Sequence, residues 1–456
     1  MKKFSKFYFK SFEFNKSNMQ AKFHYCFDND IFFEEMIDFK NYNFNINIRD
    51  DFDTEILNNI LFNIHIAFWI SYYKSFPTKE LIVESWFLDE YQTEFWKKFY
   101  INWLGEFLYT NKISPDWLFN FINKSDIKYI KKDFNVWNKA LIPVWGWKDS
   151  IVSIELLKKA WIDFDLFVFW KEDKLKNNTS EISSRDILLV KRIISKNLIK
   201  FINDWYYNWH VPITWLIAFV MEAVAYIYNY KYLVLSNEKS ANFWNTLRNW
   251  ININHQYSKS LEFETDFKKY VEKYISSDVK YFSLLRGMYE VKIAKYFSKY
   301  AKKYFSKFSS CNNNFKIFNK SDKLINWQYW CNNCPKCAFV FSILRPYLSN
   351  NEIIEIFGED LYKRKDLELL FRELLWITWI KPFECVWESE EVIYSMYKSL
   401  DKYKNKLPYI LEIFNNEVLI KFNKNNLTNI EKKLWNIFSQ DIIPEEIKKI
   451  VFKDKI

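Results

Sequence analysis

The residues whose chemistry is easiest to recognise stand between a short apolar run and an amphipathic segment, at positions 143–150. They read Pro-Val-Trp-Gly-Trp-Lys-Asp-Ser and end in Lys148, Asp149 and Ser150. A strand-to-helix turn of this kind offers backbone N–H groups, the positive end of a helix and one cation, which together bind phosphate. Asp149 is suited to hold Mg²⁺ or to order the loop. The segment therefore predicts a nucleotide site; the alternative is an ordinary turn in which Asp149 or Ser150 caps the helix.

Two tryptophans in this loop conflict with phosphate binding and lead to the composition of the whole chain. A backbone approaches phosphate oxygens closely only where no side chain intervenes, and indole rings at Trp145 and Trp147 would fill that space. The 456 residues include only 4 Gly but 21 Trp, whereas glycine usually makes up about 7% of a protein. We therefore interpret many of the tryptophans as UGA codons that the organism reads as glycine. If the two tryptophans are genuine, we expect a weak or inactive loop.

A group of cysteines downstream has the spacing of a metal site. Cys331, Cys334 and Cys337 form a Cys-x2-Cys-x2-Cys pattern, and Cys311 is the natural fourth ligand. Thiolates at this spacing can bind one tetrahedral zinc ion. The alternatives are a reduced cluster without metal and cysteines that line the substrate site. The chain has six cysteines and no predicted secretion signal, so a disulfide framework is not expected.

Four side chains are candidates for proton transfer or for contact with the substrate. His210 and His255 lie in polar motifs, where each suits a general base, a phosphate ligand or a structural hydrogen bond. Lys259 can contact a substrate carboxylate or phosphate; the alternative is a solvated helix face. Cys385 follows a glutamate and is a candidate acid or base at a carbon centre.

Asn237 and Glu238 come directly after a short apolar strand at 232–235. Ligands of open α/β sheets bind at the carboxyl ends of the strands. We therefore expect both residues in the nucleotide site, against the alternative of a polar turn that caps the next helix.

The elements that must position these residues are strands and helices in alternation. Strands predicted at 140–144, 162–169 and 232–235 alternate with helices predicted at 151–160, 184–201 and 215–230, which indicates a parallel α/β sheet covered on both faces. Aromatic strands are predicted at 7–14 and 21–26, helices at 53–73 and 90–100, and mostly helix beyond about residue 260. We predict an N-terminal α+β domain (1–135), an ATP-binding domain (136–340) and a mainly helical C-terminal region (341–456).

Composition and charge narrow the class of protein. Hydrophobic residues make up 49% and charged residues 27% of the chain, as in soluble globular proteins. We find no apolar run long enough to span a membrane and no apolar segment after the basic start, so we expect a cytoplasmic protein without a membrane partner. The net charge is +10, but no basic block is interleaved with aromatic residues, so a nucleic-acid partner is not expected.

With glycine at 145 and 147, the loop resembles the Ser-Gly-Gly-x-Asp-Ser signature of PP-loop ATP pyrophosphatases. Further stretches resemble one PP-loop family in particular, the ATP-dependent UDP-N-acetylmuramoyl-L-alanyl-L-glutamate epimerases. These stretches are residues 208–213 (Asn-Trp-His-Val-Pro-Ile), 235–241 (Leu-Ser-Asn-Glu-Lys-Ser-Ala), 254–260 (Asn-His-Gln-Tyr-Ser-Lys-Ser), 331–339 (Cys-Asn-Asn-Cys-Pro-Lys-Cys-Ala-Phe) and 381–387 (Lys-Pro-Phe-Glu-Cys-Val-Trp).

The resemblance implies a PP-loop (adenine nucleotide alpha hydrolase-like) parallel sheet, ATP and Mg²⁺ as cofactors, and a UDP-muramoyl dipeptide as substrate. It implies that ATP adenylates the α-carboxylate of the terminal L-Glu, which makes the Cα proton easier to remove before hydrolysis releases D-Glu product and AMP. The candidate proton-transfer and substrate residues are then His255, His210, Cys385 and Lys259. The candidate cofactor residues are Trp145, Gly146, Trp147, Lys148, Asp149, Ser150, Asn237 and Glu238.

Two other functions remain open at this stage. One is a PP-loop ligase or a tRNA- or nucleobase-modifying enzyme similar to 7-cyano-7-deazaguanine synthase, which also combines the loop with a cysteine cluster. The other is a degenerate nucleotide-binding protein, which genuine tryptophans at 145 and 147 would favour.

Overall fold

The computed structural model describes residues 3–41, 45–203, 207, 213–242, 246–248, 251–254, 256–315, 329–377, 388–403, 406–437 and 441–453. Short strands and helices occupy the first part of the chain. They are β1 (Lys6–Asn15), β2 (Gln20–Phe27), β3 (Ile31–Asp38), α1 (Thr54–Phe68), α2 (Ile70–Tyr73), β4 (Glu80–Val83), α3 (Glu90–Trp103), α4 (Gly105–Thr110) and β5 (Asn120–Asn123).

Strands and helices alternate through the middle of the chain. They are β6 (Trp137–Pro143), α5 (Lys148–Lys159), β7 (Phe164–Phe169), α6 (Lys174–Ser183), β8 (Ile187–Ile193), α7 (Lys196–Asn203), α8 (Thr214–Tyr228), β9 (Tyr230–Leu235), β10 (Thr246–Arg248), β11 (Ile251–Ile253), α9 (Leu261–Tyr274) and β12 (Lys280–Ser283).

The described residues beyond β12 contain helices and no strand. The α-helices are α10 (Glu290–Tyr300), α11 (Pro335–Leu344), α12 (Asn350–Phe357), α13 (Glu368–Leu374), α14 (Ser389–Ser399), α15 (Tyr409–Ile413), α16 (Lys424–Trp435) and α17 (Glu445–Val451).

One ten-stranded sheet, in the order β12-β9-β6-β7-β8-β3-β2-β1-β4-β5, runs through the molecule. The strands β12, β9, β6, β7 and β8 are parallel to one another. The chain adds β7 and β8 on one side of β6 and then β9 and β12 on the other, so the strand order reverses between β6 and β9. A ligand crevice in an open α/β sheet lies at such a reversal, beyond the carboxyl ends of the strands. The predicted α/β class is confirmed.

Alternate side chains of the parallel strands enter two hydrophobic cores, as the period of a strand requires. Leu141 and Leu233 pack into the core that contains α1, α8 and α9. Ile142 and Val234 pack into the core of α5, α10 and the C-terminal helices. Helices therefore cover both faces of the parallel strands, and their continuous apolar runs are explained by burial on both sides.

The helix predicted at 184–201 is wrong over residues 184–195 and right only over its end at 196–201. Ser184 has a left-handed φ of +52° and ends α6, and residues 187–193 form β8 before α7 begins at Lys196. The run Ile-Leu-Leu-Val-Lys-Arg-Ile is mostly apolar and combines leucine with β-branched residues, so its sequence suits either element. Pairing decides, because β8 is hydrogen-bonded in parallel to β7 and antiparallel to β3.

The strands predicted at 7–14 and 21–26 are confirmed as parts of β1 and β2, and the helix predicted at 53–73 is interrupted at Trp69 between α1 and α2. The short strand β12 was missed within the region predicted as mostly helical. In the part of the chain that the structure describes, no helix combines the length and the apolar character needed to cross a bilayer.

Candidate active site

The loop between β6 and α5 makes a turn that only glycine fits at its centre. Gly146 has a φ of +78°, and a Cβ on this residue would lie 2.7 Å from Cβ of Leu175. The backbone carbonyl of Gly146 accepts a hydrogen bond of 3.1 Å from the N–H of Ser309. The loop therefore packs closely against α6 and is tied to the segment that precedes Cys311.

The two tryptophans of the loop are half-buried. Trp145 packs against the core of α1 and α8, and Trp147 is the residue that precedes α5. The Nζ of Lys259 lies 5.5 Å from the centre of the Trp147 ring. The structure therefore brings Lys259 to the loop, with an indole ring beside it.

Lys148 and Asp149 open α5 and belong to a buried cluster of charges. The Lys148 ammonium is fully buried and donates to the carboxylates of Asp149 and Glu290. The second oxygen of Glu290 lies 3.5 Å from the Nζ of Lys336. Two lysines thus alternate with two carboxylates in the order Asp149, Lys148, Glu290, Lys336.

Burial and charge shift the pKa values of this cluster in opposite directions. Burial by itself lowers the pKa of Lys148, but the two carboxylates outweigh it and raise that pKa above its usual range. Burial raises the pKa of Asp149 to about 6, although Lys148 opposes the shift; the negative charges of Glu290 and Glu238 add to it. The pKa of Glu290 is lowered because Lys148 and Lys336 outweigh its burial. Asp149 is therefore the carboxylate of this cluster that gains most from an added cation.

Ser150 and the residues after β9 complete the edge of the sheet around the loop. The hydroxyl of Ser150 donates to the Trp147 carbonyl at 3.0 Å, within the first turn of α5. The hydroxyl of Ser153, also on α5, lies 2.7 Å from that of Ser236 at the end of β9. The start of α5 and the end of β9 therefore lie side by side at the carboxyl edge of the sheet.

Asn237 is held by buried partners, and Glu238 is partly exposed. The Asn237 amide donates to Ser283 at 2.9 Å and to Glu264 at 3.3 Å. The negative charge of Glu238 contributes to the raised pKa of Asp149. Asn237 orders the end of the strand, and Glu238 adds negative charge near the loop.

Arg286, three positions beyond β12, fastens the surrounding segments together. Its guanidinium is fully buried and forms an ion pair of 2.5 Å with the fully buried Glu264. It also donates to the Glu238 carbonyl at 2.8 Å and to the Lys259 carbonyl. The backbones that carry Glu238 and Lys259 are therefore fixed by one cation, and a buried charge with this many partners is well satisfied.

The four cysteines come together beside this site. The sulfur atoms of Cys311, Cys331, Cys334 and Cys337 all lie within 4.8 Å of one another. Cys331 is half-buried and the other three are buried. The candidates His210, His255 and Cys385 lie outside the described residues, so the structure does not place them.

Comparison with protein families shows which family this chain belongs to. Family models for the MurL N-terminal domain and the MurL C-terminal domain match residues 1–284 and 307–427. The chain belongs to the MurL family. The first MurL model spans all twelve strands, and the second spans the cysteine cluster and the helices α11 to α15.

Curated relatives agree with this assignment. A protein of Xanthomonas oryzae pv. oryzae named UDP-N-acetyl-alpha-D-muramoyl-L-alanyl-L-glutamate epimerase is 30% identical over 329 residues, which is 72% of this chain and 71% of that protein. A protein of the same name from Micromonospora sp. is 30% identical over 346 residues, 75% of this chain and 74% of its own. A third, from Salinispora tropica, is 33% identical over 258 residues, 57% of this chain and 55% of its own.

Three residues of this MurL-family site escaped the sequence analysis. They are Arg286, Glu290 and Lys336. Arg286 and Glu290 follow β12, so recognising that strand would have placed them at the carboxyl edge of the parallel sheet. Lys336 lies inside the Cys-x2-Cys-x2-Cys pattern, and the spacing of the cysteines gives no role to the residues between them.

Proposed function

We propose that this chain is an ATP-dependent epimerase that works through an acyl-adenylate. The epimerase activity follows from the membership of the chain in the MurL family. It also follows from relatives named as epimerases, which the chain matches over most of their length. The chain is thus an isomerase of peptidoglycan precursor synthesis that acts on UDP-N-acetylmuramoyl-L-Ala-L-Glu. ATP and this UDP-linked substrate are both used in the cytoplasm, which is where we propose that it works.

The loop at 143–150 supports the use of ATP. It lies at the carboxyl end of β6, where the strand order reverses, and it leads directly into α5. The N–H groups at the start of a helix and a glycine-containing strand-to-helix turn, here at Gly146, are features with which α/β folds bind phosphates. We therefore assign this segment as the PP-loop, which receives the triphosphate of ATP.

The charges around the loop suit a magnesium nucleotide. The charge of Glu238 helps to raise the pKa of Asp149, and carboxylates of this kind are ligands that Mg²⁺ takes alongside water and phosphate oxygens. Lys259, with its Nζ 5.5 Å from the centre of the Trp147 ring, supplies a cation for a phosphate or for the substrate carboxylate. Glu290 holds the Lys148 ammonium inside the protein, so the positive charge of Lys148 acts on the loop from its buried side.

The proposed reaction separates activation from proton transfer. The α-carboxylate of the terminal L-Glu attacks the α-phosphorus of ATP, an acyl–O–P bond forms, and pyrophosphate leaves with the electron pair of the broken bond. The adenylate withdraws electron density from Cα more strongly than a free carboxylate does, so a base can remove the Cα proton. Reprotonation on the opposite face and attack by water then release the D-Glu product and AMP. His255, His210 and Cys385 remain the candidates for the two proton transfers.

We further propose that the natural protein carries glycine at 145 and 147. Support comes from tryptophans elsewhere that occupy backbone suited to glycine: Trp161, Trp170 and Trp376 have φ values of +56°, +86° and +59°. Bulky residues rarely adopt this left-handed region, whereas glycine does so freely. The same misreading at 145 and 147 would give a phosphate loop with no side chain between its backbone and the ligand.

The experiment compares the protein that has tryptophan at both positions with a variant that carries both Trp145→Gly and Trp147→Gly. Each protein is incubated with ATP, Mg²⁺ and UDP-N-acetylmuramoyl-L-Ala-L-Glu, then assayed for AMP, for pyrophosphate and for the chirality of the glutamate after hydrolysis. We expect D-Glu, AMP and pyrophosphate from the glycine variant and little of these products from the tryptophan-containing protein. Formation of D-Glu without ATP would exclude the adenylate, and absence of both D-Glu and AMP would exclude the whole proposal.

A mass measurement tests the glycine assignment separately. The intact mass of the protein from its native organism should fall below the mass calculated with every tryptophan in place. The deficit should equal the mass difference between tryptophan and glycine at each recoded position. A mass that matches all 21 tryptophans would refute the assignment.

A further inference from the structure

The cysteine cluster has the dimensions of a tetrahedral thiolate site. The distances between sulfur atoms are 4.0 Å for Cys311 and Cys334, 3.7 Å for Cys331 and Cys337, and 3.5 Å for Cys334 and Cys337. Four thiolates bound to one Zn²⁺ at about 2.3 Å lie about 3.8 Å apart. The observed spacing therefore accepts a zinc ion with only small movements of the side chains.

The surroundings of the cluster are also those of a metal site. The Cys331 sulfur accepts hydrogen bonds from the N–H of Asn333 at 3.5 Å and from the amide of Asn313 at 3.3 Å. Such donors stabilise thiolate ligands. Asn332 has a left-handed φ of +57° and donates to the Phe357 carbonyl at 2.8 Å, which fixes the turn between Cys331 and Cys334.

One link from the cluster to the nucleotide loop runs through Ser309. The hydroxyl of Ser309 accepts a hydrogen bond of 3.1 Å from the N–H of Cys311, and the backbone N–H of Ser309 donates to the Gly146 carbonyl at 3.1 Å. A fixed position for Cys311 therefore holds the peptide at the centre of the loop.

A second link runs through Lys336, which stands between two of the cysteines in the first turn of α11. Its ammonium is buried and lies 3.5 Å from Glu290, whose other oxygen accepts from Lys148 at the start of α5. Any displacement of the cysteine turn therefore moves a charge that Glu290 and Lys148 depend on.

We propose that Cys311, Cys331, Cys334 and Cys337 bind one structural zinc ion, and that this zinc site positions the nucleotide loop through Ser309 and Lys336. The zinc site stands on the cluster alone, whereas its effect on ATP rests on the proposed function of the loop. Lys336 is a positioning residue, because it acts on the loop through Glu290 and Lys148.

Zinc content tests the first part of the inference. The variant with glycine at 145 and 147, purified without chelator, should contain about one zinc per chain by plasma mass spectrometry. Cys334→Ser should lower this content, and Cys26→Ser should not, because Cys26 is a buried cysteine on β2 outside the cluster. Less than about 0.2 zinc per chain in the parent protein would overturn the zinc site.

Cobalt provides a second measurement that does not depend on the folding of a cysteine variant. The parent protein loaded with Co²⁺ in place of zinc should show the intense visible bands of tetrahedral cobalt bound to thiolates. Bands typical of octahedral cobalt only, or no bound cobalt, would overturn the tetrahedral cysteine site.

The link to the loop is tested with Lys336→Met, which leaves all four cysteines in place. We expect zinc to be retained, hydrogen exchange of residues 144–150 to become roughly tenfold faster, and AMP formation to fall, because a charged buried contact is lost. Lys336→Arg should restore slow exchange. Lys302→Met is the matched control, since Lys302 is exposed and pairs with Glu352 on α12, and it should change neither reading.

Unchanged exchange in Lys336→Met with zinc retained would overturn the link. Zinc content and exchange require no turnover, so they report on this inference even if the chain forms no adenylate.

Discussion

At the scale of single residues, the site depends on a buried row of alternating charges. Lys148 has no exposed surface, yet it is satisfied because Asp149 and Glu290 both accept from it. Removing one member of such a row leaves a buried charge without its partner, which is much more damaging than losing an exposed ion pair. The first turn of α5 is therefore fixed by electrostatics before any nucleotide binds.

Asp149 gives this row a dependence on pH. Its pKa in the folded protein is raised to about 6, chiefly by burial, from the 3.8 of an ordinary aspartate. The folded protein therefore binds this proton more tightly than the unfolded chain, so the stabilisation is fully present below about pH 4 and is lost as the pH rises through about 6. Relative to Asp149→Asn, the native residue should lose on the order of 2–3 kcal/mol of unfolding free energy over that window.

Urea unfolding of the two proteins at a series of pH values measures this difference. Asp38→Asn serves as the control for a buried carboxylate far from the loop, on β3. A difference between native protein and Asp149→Asn that stays constant from about pH 4 to about pH 7 would contradict the raised pKa.

At the scale of elements, two helices end in a left-handed turn position that usually holds glycine but here holds tryptophan. After α5, the N–H of Trp161 donates to the Lys158 carbonyl and the N–H of Ile162 donates to the Leu157 carbonyl. The same pair of bonds follows α13, where Trp376 donates to Glu373 and the next residue donates to Arg372. This is the Schellman ending, in which the left-handed position is usually glycine.

Trp161→Gly should therefore stabilise the protein by about 1 kcal/mol, because the left-handed backbone is relieved. Trp161 is 95% exposed, so little packing is lost with the ring. Trp435→Gly is the contrasting control, since its indole donates to the Tyr394 hydroxyl at 2.9 Å within a helix, and it should destabilise. Urea unfolding measures both, and destabilisation by Trp161→Gly would contradict the glycine interpretation at that position.

The elements also show what could be predicted from the sequence. The loop, the cysteine cluster and Lys259 were recognised because their chemistry is local: a few residues in a row carry the pattern. The strand β8 was taken as a helix because its apolar run suits both elements and its partners β7 and β3 are distant in sequence. Arg286 and Glu290 were missed for the same reason, since their place depends on β12 pairing with β9.

At the scale of the whole molecule, the N-terminal strands and the parallel strands form one sheet because β3 pairs with β8. Arg192 on β8 forms an ion pair with Glu35 on β3 and donates to the Ser71 hydroxyl at 2.7 Å. Arg192 and Glu35 are both buried. This contact joins the antiparallel strands, the helix α2 and the parallel sheet at one point.

Arg192→Met should lower the unfolding free energy by about 3–5 kcal/mol, since Glu35 would stay buried without its partner. Arg185→Met is the matched control: Arg185 pairs with an exposed Asp163, and such pairs contribute about 0–1 kcal/mol. Chemical unfolding of both variants measures the contrast. Adding Glu35→Leu to Arg192→Met should recover much of the loss, and a loss from Arg192→Met no larger than that from Arg185→Met would contradict the role of the contact.

The pairing of β3 with β8 also sets an order of events during synthesis. The ribosome releases β1, β2 and β3 long before β8 exists, so the antiparallel hairpins emerge with the hydrogen-bonding edge of β3 open. Open edges of this kind recruit other strands, and contacts between distant segments form slowly. The nascent chain therefore passes through a period in which the edge of β3 has no partner strand. We expect this period to be the interval in which chaperones bind and in which a slowed ribosome does most harm.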